Sequence, residues 1–366
     1  MFRLLTERKR IDVKVFYTWG QSKDEVYDAR FGMKRSWDIP LLDGYNYEFI
    51  DNRSKHPDSN RFWGIINPGL NKQIKAENFE AVLVYRWSVF SHLKIMQVMG
   101  GSPRLFFRGD SHLQNKGTGM KEFVKAQLLK FVYRNVDKAF YVGSLNRNYF
   151  LKYGLKEEQL VAASHAVDNH RFSSDHEQWE IKAAEERKEL QIPVNAVVFL
   201  YAGKFYALKQ LDVLIKAFQQ LKGEEYRLLL YGNGEQEQEL KELSKSDTRI
   251  IFQPFKNQSE MPVVYRVGDV FLLPSKSETW GLAVNEAMAC GRPAIVSDQC
   301  GCAPELIIEG KTGFTFHTAN TEELFYCMQK FENRDTALQM GKEALRHIEH
   351  FSLEKIAEVV EEEVIR

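Results

Sequence analysis

Val197-Val-Phe-Leu-Tyr-Ala202 runs into Gly203-Lys-Phe-Tyr-Ala-Leu-Lys209 and then into Leu211-Asp-Val-Leu-Ile-Lys-Ala-Phe218. A short apolar run rich in β-branched and aromatic residues, a glycine-led loop and an apolar pattern at helical spacing predict strand, turn and helix in immediate succession. The succession repeats. Residues 226–231, 249–252, 270–274, 293–297 and 313–316 read as further strands, each leading into a helical pattern. Buried strands alternating with helices predict a doubly wound parallel sheet, because parallel neighbours need crossover connections and the crossover helices cover both faces. Ligands of such sheets bind outside the carboxyl ends of the strands.

Outward from this half, residues 11–17, 81–85, 104–107 and 139–142 read as strands separated by helices, so a second α/β domain is expected. At 366 residues the chain exceeds what one core usually organises. Residues 173–190 are polar and lack a strand pattern, which predicts a linker and a helix and a division near Phe172. The expected domains are 1–172 and 173–350, with a closing helix at 351–366 whose apolar stripe, Ile356, Val359, Val360 and Val364, packs back on the first. The start, Met-Phe-Arg-Leu-Leu-Thr-Glu7, reads as a helix already under way, so a first strand is expected to be absent from the N-terminal domain.

Lysine plus arginine equals aspartate plus glutamate at 50 each, which argues against a nucleic-acid binder with a broad basic face. The longest apolar runs are far too short to span a bilayer, and the charged start resembles no signal peptide, so a cytoplasmic protein is expected. Cys290, Cys300, Cys302 and Cys327 lack the spacing of a zinc site and the density of a disulfide framework; free, buried thiols are expected.

Chemistry concentrates after the strands. Glu278 precedes a helix that carries Glu286, and the free amides at that helix start would attract an anion. Solvated helix-flanking acids are the alternative, yet Trp280-Gly281 between them, and Ala287, Ala289 and Gly291 after them, suit close backbone approach. Lys204 and Lys209 would bring two cations to the loop after residue 202, although most loop lysines are merely solvated. Gly232 and Gly234 in Tyr231-Gly-Asn-Gly fit a tight strand-to-helix turn. Glu305 at another helix start has a structural reading in the helix dipole. In the first half, Arg108-Gly-Asp110-Ser-His112 ends an apolar strand with groups that can titrate or pair. Two aromatic-rich stretches, Trp37 to Glu48 and Phe62 to Gly69, read as punctuated loops that suit packing more than carbohydrate.

Taken together, Gly203-Lys204 through Lys209, Tyr231-Gly-Asn-Gly234, Ser277-Glu278 through Glu286-Ala-Met-Ala-Cys-Gly-Arg-Pro293, Gly301 to Glu305 and Gly310-Lys-Thr-Gly313 resemble the retaining glycosyltransferases of family 4. Ser164-His-Ala-Val-Asp168 with Phe172 is similar to the family's segment before the crossover between domains. The resemblance implies an α/β protein of GT-B architecture, with two Rossmann-like domains facing across a cleft. It implies transfer of a hexose-type sugar from a nucleotide-sugar, a UDP-sugar above all, to a hydroxyl of a glycan, glycolipid or other acceptor, with no cofactor and no nucleic acid.

Carried onto this chain, the resemblance gives the donor to Gly203, Lys204, Lys209, Gly232, Pro254, Glu278, Trp280, Gly281, Leu282 and Glu286, and catalysis to Glu278 with Asp110 and His112. Lys209 and Lys204 would hold the pyrophosphate, Glu286 the ribose hydroxyls and Glu278 the transferred sugar. Lys204 stands where the family usually has arginine and lacks its bidentate fork. No Asp-X-Asp triplet occurs, so metal independence is expected, with lysines and a helix N-terminus stabilising the leaving phosphate. A lipid-linked acceptor would bring the protein to the inner face of the membrane. A nucleotide-sugar epimerase of related fold and a non-catalytic GT-B binding protein are the competing readings.

Overall fold

The computed structural model describes residues 1–20, 26–28, 33–35, 37–113 and 119–366. Its strands are β1 (Lys14–Tyr17), β2 (Val26–Asp28), β3 (Met33–Arg35), β4 (Asn46–Phe49), β5 (Ala81–Tyr85), β6 (Arg104–Arg108) and β7 (Lys138–Tyr141). β8 (Leu160–Ala162), β9 (Val197–Ala202), β10 (Tyr226–Tyr231), β11 (Ile250–Gln253), β12 (Val270–Leu273), β13 (Ala294–Ser297) and β14 (Gly313–Phe316) follow. The chain divides into two compact units, one of residues 1–24, 40–164 and 353–366, the other of residues 25–39 and 165–352. Phe172, where the sequence suggests the division, lies fully buried within the second unit.

The second unit is built on six parallel strands in the order β11-β10-β9-β12-β13-β14. Residues 197–201 and all of β12 and β13 are buried, as a strand covered by helices on both faces must be. The helix Leu211–Phe218 buries six of its eight residues and is one of the covering layers. At the amino end of this sheet Asp269 binds four groups at once. Arg187 donates to both carboxylate oxygens at 3.0 and 2.8 Å, the Val198 amide at 2.8 Å and Arg334 Nε at 2.9 Å. One carboxylate thereby ties β9, the approach to β12, the helix His176–Glu189 and the helix Arg334–Ile348 together.

The first unit holds two separate parallel sheets, β1-β4 and β5-β6-β7-β8. The helix Phe2–Arg8 precedes β1. The apolar pattern predicts a first strand from residue 11, whereas pairing begins at Lys14. The sequence also predicts loop throughout residues 37–48. Residues 46–49 instead form β4, because Tyr47 and Phe49 alternate along an extended segment that pairs in register with Val15 and Tyr17. The closing helix Leu353–Ile365 belongs to this unit. Its Glu361 is fully buried and accepts from Arg8 Nε at 2.8 Å and Arg10 Nη1 at 3.2 Å. No helix among the described residues is long and apolar enough to cross a membrane.

All four cysteines are buried and free. Burial pushes the Cys290 thiol up to about 11 and the Cys300 thiol up to about 12, so both behave as small apolar groups rather than nucleophiles.

Candidate active site

Progress across the second sheet reverses at β9: β10 and β11 lie to one side, and β12, β13 and β14 to the other. The loops after β9 and β12 therefore part at the carboxyl edge, which is where open α/β sheets form a binding crevice. Backbone hydrogen bonds lash the loop after β9 to the loop after β10. The Gly203 amide donates to the Tyr231 carbonyl at 2.9 Å, Phe205 to Asn233 at 2.9 Å, and Gln236 back to Phe205 at 3.1 Å. This contact explains Gly232 and Gly234 better than turn chemistry does. A Cβ on Gly232 would sit 1.9 Å from the Gly203 carbonyl oxygen, and one on Gly234 would sit 2.4 Å from that of Phe205. The Gly232 amide also donates to Gln253 at 3.0 Å, which brings the end of β11 and the exposed Pro254 to the same edge.

Across the switch point, the Lys276 amide donates to the Leu208 carbonyl at 2.8 Å. Next to it Lys209 Nζ pairs with Glu278 Oε2, both side chains being largely buried. Sequence reading sent these two residues to different parts of a ligand; the folded chain joins them to each other. An ammonium and a carboxylate held in contact at partial burial form a strong, mutually oriented pair. The loop after β13 braces Glu278 from behind. Its amide donates to Gln299 at 3.1 Å, and its carbonyl accepts from Gly301 at 2.9 Å. A Cβ on Gly301 would meet the Thr279 carbonyl at 1.9 Å, so only glycine lets the two loops lie this close.

Trp280 is buried, and its indole N–H donates to Asn285 Oδ1 at 2.8 Å. Asn285 in turn donates to the His165 carbonyl at 3.2 Å. The ring is therefore a wedge that fixes the start of the helix Leu282–Ala289, and its contribution to a ligand is confined to its backbone. Gly281, at φ +109°, begins that helix without a side-chain cap, and Leu282 is exposed at its first turn. Such a helix start presents N–H groups and the positive end of the dipole.

Glu286 lies one turn further on. Its Oε2 accepts from the Tyr265 hydroxyl at 2.6 Å. Burial pushes its carboxyl above the ordinary glutamate value, while the Tyr265 hydrogen bond and the Arg171 charge pull it back. Arg171 is itself held in place. Its amide donates to the capping Asp168 carboxylate at 3.1 Å, and its guanidinium donates to the carbonyl and side chain of Gln258 at 2.7 and 2.6 Å. Tyr265 and Arg171 are absent from the sequence-derived set. The signal for Arg171 was Asp168 three residues before it, an N-cap spacing; Tyr265 carried none, since it reads as core.

In the first unit, Asp110 and His112 lie half-buried on the coil after β6. Arg108 is buried at 6% exposure, and its Nη1 has no hydrogen-bond partner among the described residues. Burial lowers its affinity for the proton, and the charges of Tyr85 and Asp110 raise it. His92, which sequence reading passed over, joins two strand ends at this edge. Its Nε2 lies 2.9 Å from Thr18 Oγ1 and its Nδ1 2.9 Å from the Tyr85 carbonyl oxygen. Burial disfavours its charged form. With Nδ1 donating to the carbonyl, Nε2 accepts from the threonine.

Residues 182–347 match the family described as Glycosyl transferases group 1. This part of the chain resembles the group 1 glycosyltransferases. The sulfoquinovosyl transferase SQD2 of Arabidopsis thaliana is 30% identical over 200 residues, covering 53% of this chain and 37% of that protein. An N-acetyl-alpha-D-glucosaminyl L-malate synthase of Bacillus anthracis is 25% identical over 231 residues, covering 57% and 60%. The chain thus spans about half the length of these curated relatives. Anabaena HepE, solved in complex with UDP, superposes with a TM-score of 0.70 at 16% identity over 88% of this chain and 86% of that one. A likeness at that identity is one of fold, and the α/β fold is GT-B. The matched residues include every residue from Gly203 to Glu286 described above.

Proposed function

We propose that the protein is a retaining glycosyltransferase that moves a hexose-type sugar from a nucleotide-sugar, a UDP-sugar above all, to a hydroxyl of a glycan or glycoconjugate. The observation that carries this reading is the Lys209–Glu278 pair at the topological switch point of the six-stranded sheet. It puts a cation able to balance a diphosphate leaving group beside a carboxylate able to accept from sugar hydroxyls. Lys209, Lys204 and the amides of the Leu282–Ala289 helix start stabilise the charge that develops on the leaving phosphate, the role a metal fills elsewhere. Glu286, backed by Tyr265, accepts from the ribose hydroxyls, and the base lies along the Gln253-Pro254 end of β11. Retention follows from attack on the face that the leaving phosphate vacates, with that phosphate assisting deprotonation. Asp110 and His112 serve the acceptor.

The test is incubation of the purified chain with UDP-, GDP- and ADP-sugars and a panel of hydroxyl acceptors, with and without chelator. Nucleoside diphosphate release with transfer supports the reading, at a rate in chelator within twofold of the untreated rate. An isomerised sugar nucleotide would mark an epimerase, and no binding at millimolar donor would mark a non-catalytic protein.

Glu286→Gln is expected to raise the donor KM about 10-fold or more, the scale of a hydrogen bond to a charged group, with little change in kcat. The direction of its proton affinity adds a pH signature. Because the carboxyl is held above its ordinary value, donor affinity of the native protein declines as pH falls through that raised value, and the Gln variant lacks this limb. A flat native profile from pH 7 to pH 4 would remove Glu286 from the donor site.

A further inference from the structure

The helix Met120–Tyr133 of the first unit is apolar on two opposite faces. Leu129, Val132 and Tyr133 are buried against the core of that unit. On the other side Met120, Phe123, Val124, Leu128 and Phe131 are 75, 60, 58, 45 and 43% exposed. Their spacing of three, one, four and three residues places them on one stripe along the helix, interrupted by the exposed Gln127, since residues three and four apart share a face. A stripe of five large apolar side chains in water is not a scattered surface hydrophobe; contiguous patches of this kind mark a contact surface.

Its charges indicate the partner. At 100° per residue, Lys121 falls on one flank of the stripe and Lys130 on the other, and Arg134 follows the helix at its carboxyl end. All three are exposed. The only acid on the helix, Glu122, is engaged by Lys152 at 2.6 Å and by the Tyr153 hydroxyl. An apolar stripe with cations along both edges and no free acid is the profile of a helix that lies in a membrane interface, its apolar side chains among the acyl chains and its cations among anionic headgroups. The local excess of positive charge stands out in a chain whose overall formal charge is zero.

We propose that this helix is a membrane-docking surface that seats the first unit on an anionic lipid bilayer. The inference is independent of the donor-site assignment. The test is co-sedimentation of the full chain with vesicles of phosphatidylcholine alone and with 30 mol% phosphatidylglycerol, for the native protein, for Phe123→Ser with Phe131→Ser, and for Lys121→Gln with Lys130→Gln. The native chain is expected to bind the anionic vesicles at least 10-fold more tightly than the neutral ones and to be released by high salt. Both double variants are expected to lose at least 10-fold of that affinity while keeping the native thermal midpoint and the native nucleoside diphosphate release, because every altered side chain faces solvent. Equal binding of native and variant proteins, or no binding to either vesicle, would overturn the proposal. So would light scattering that shows a native dimer converted to monomer by the phenylalanine changes, since the stripe would then be covered by a second copy.

Discussion

Glu278→Gln is expected to lower kcat for transfer about 10²–10³-fold, the loss typical of removing one preorganised electrostatic group from a reacting centre. The donor KM is expected to change less than about threefold, because an interaction that strengthens only in the transition state appears in kcat and not in ground-state binding. Glutamine keeps the shape and a hydrogen-bonding oxygen, so what it removes is the charge that orients Lys209. The contact between Lys209 Nζ and Glu278 Oε2 adds a second expectation. Two groups in contact do not contribute independently, so Lys209→Gln and the Lys209→Gln, Glu278→Gln pair should show strong non-additivity. Steady-state kinetics on the four proteins of the cycle measure it. Full additivity, or a Glu278→Gln enzyme that turns over at the native rate, would break the assignment.

Asp269→Ala is expected to cost about 3–5 kcal/mol of unfolding free energy, the usual result of removing one partner of a buried ion pair and leaving the other uncompensated. Asp269 is 3% exposed and Arg187 is 6% exposed, so the guanidinium left behind has little access to water. Asp269 lies at the amino end of the sheet and the loops proposed to bind the donor at the carboxyl end, so residual folded protein should keep its donor affinity. Denaturant unfolding with donor titration at low denaturant separates the two effects. A pH series tests the cause. Burial pushes the Asp269 carboxyl up, yet the Arg187 hydrogen bonds, the Arg187 and Arg334 charges and the Val198 amide hold it below the ordinary aspartate value. The folded state thus binds the proton more weakly than the unfolded chain. The stabilisation is fully present above the unfolded value, about pH 4, and is lost as pH falls through the depressed folded value. Asp269→Asn should therefore lose stability at neutral pH and show a shallower decline in acid. An unchanged acid limb would place the stabilisation elsewhere.

The two residues differ in what sequence reading could see. Glu278 sits in a strand-loop-helix run whose glycines, small residues and paired acids are local, so its candidacy for a site was legible. Asp269 reads as an ordinary loop acid before a strand. Its three partners lie at positions 187, 198 and 334, and nothing local announces them. Arg187 looks like one more charged residue on a helix with five glutamates, and only the fold shows it to be buried.

Periodicity alone determined that the second half is a parallel sheet with covering helices, because a strand buried on both faces must be a continuous apolar run and its crossover must be helical. It also determined which loops gather at one edge, since parallel strands bring all their carboxyl ends together. Tertiary structure decided which residues of those loops meet. Lys209 and Glu278 are 69 residues apart and are joined only because β9 and β12 are neighbours, a strand order that no local pattern encodes. The same holds for Glu286 with Tyr265, and for Gly232 against Gly203. Local sequence sets the conformation of each segment, whereas pair contacts between loops depend on how strands are ordered, and that order is settled by the packing of the whole sheet.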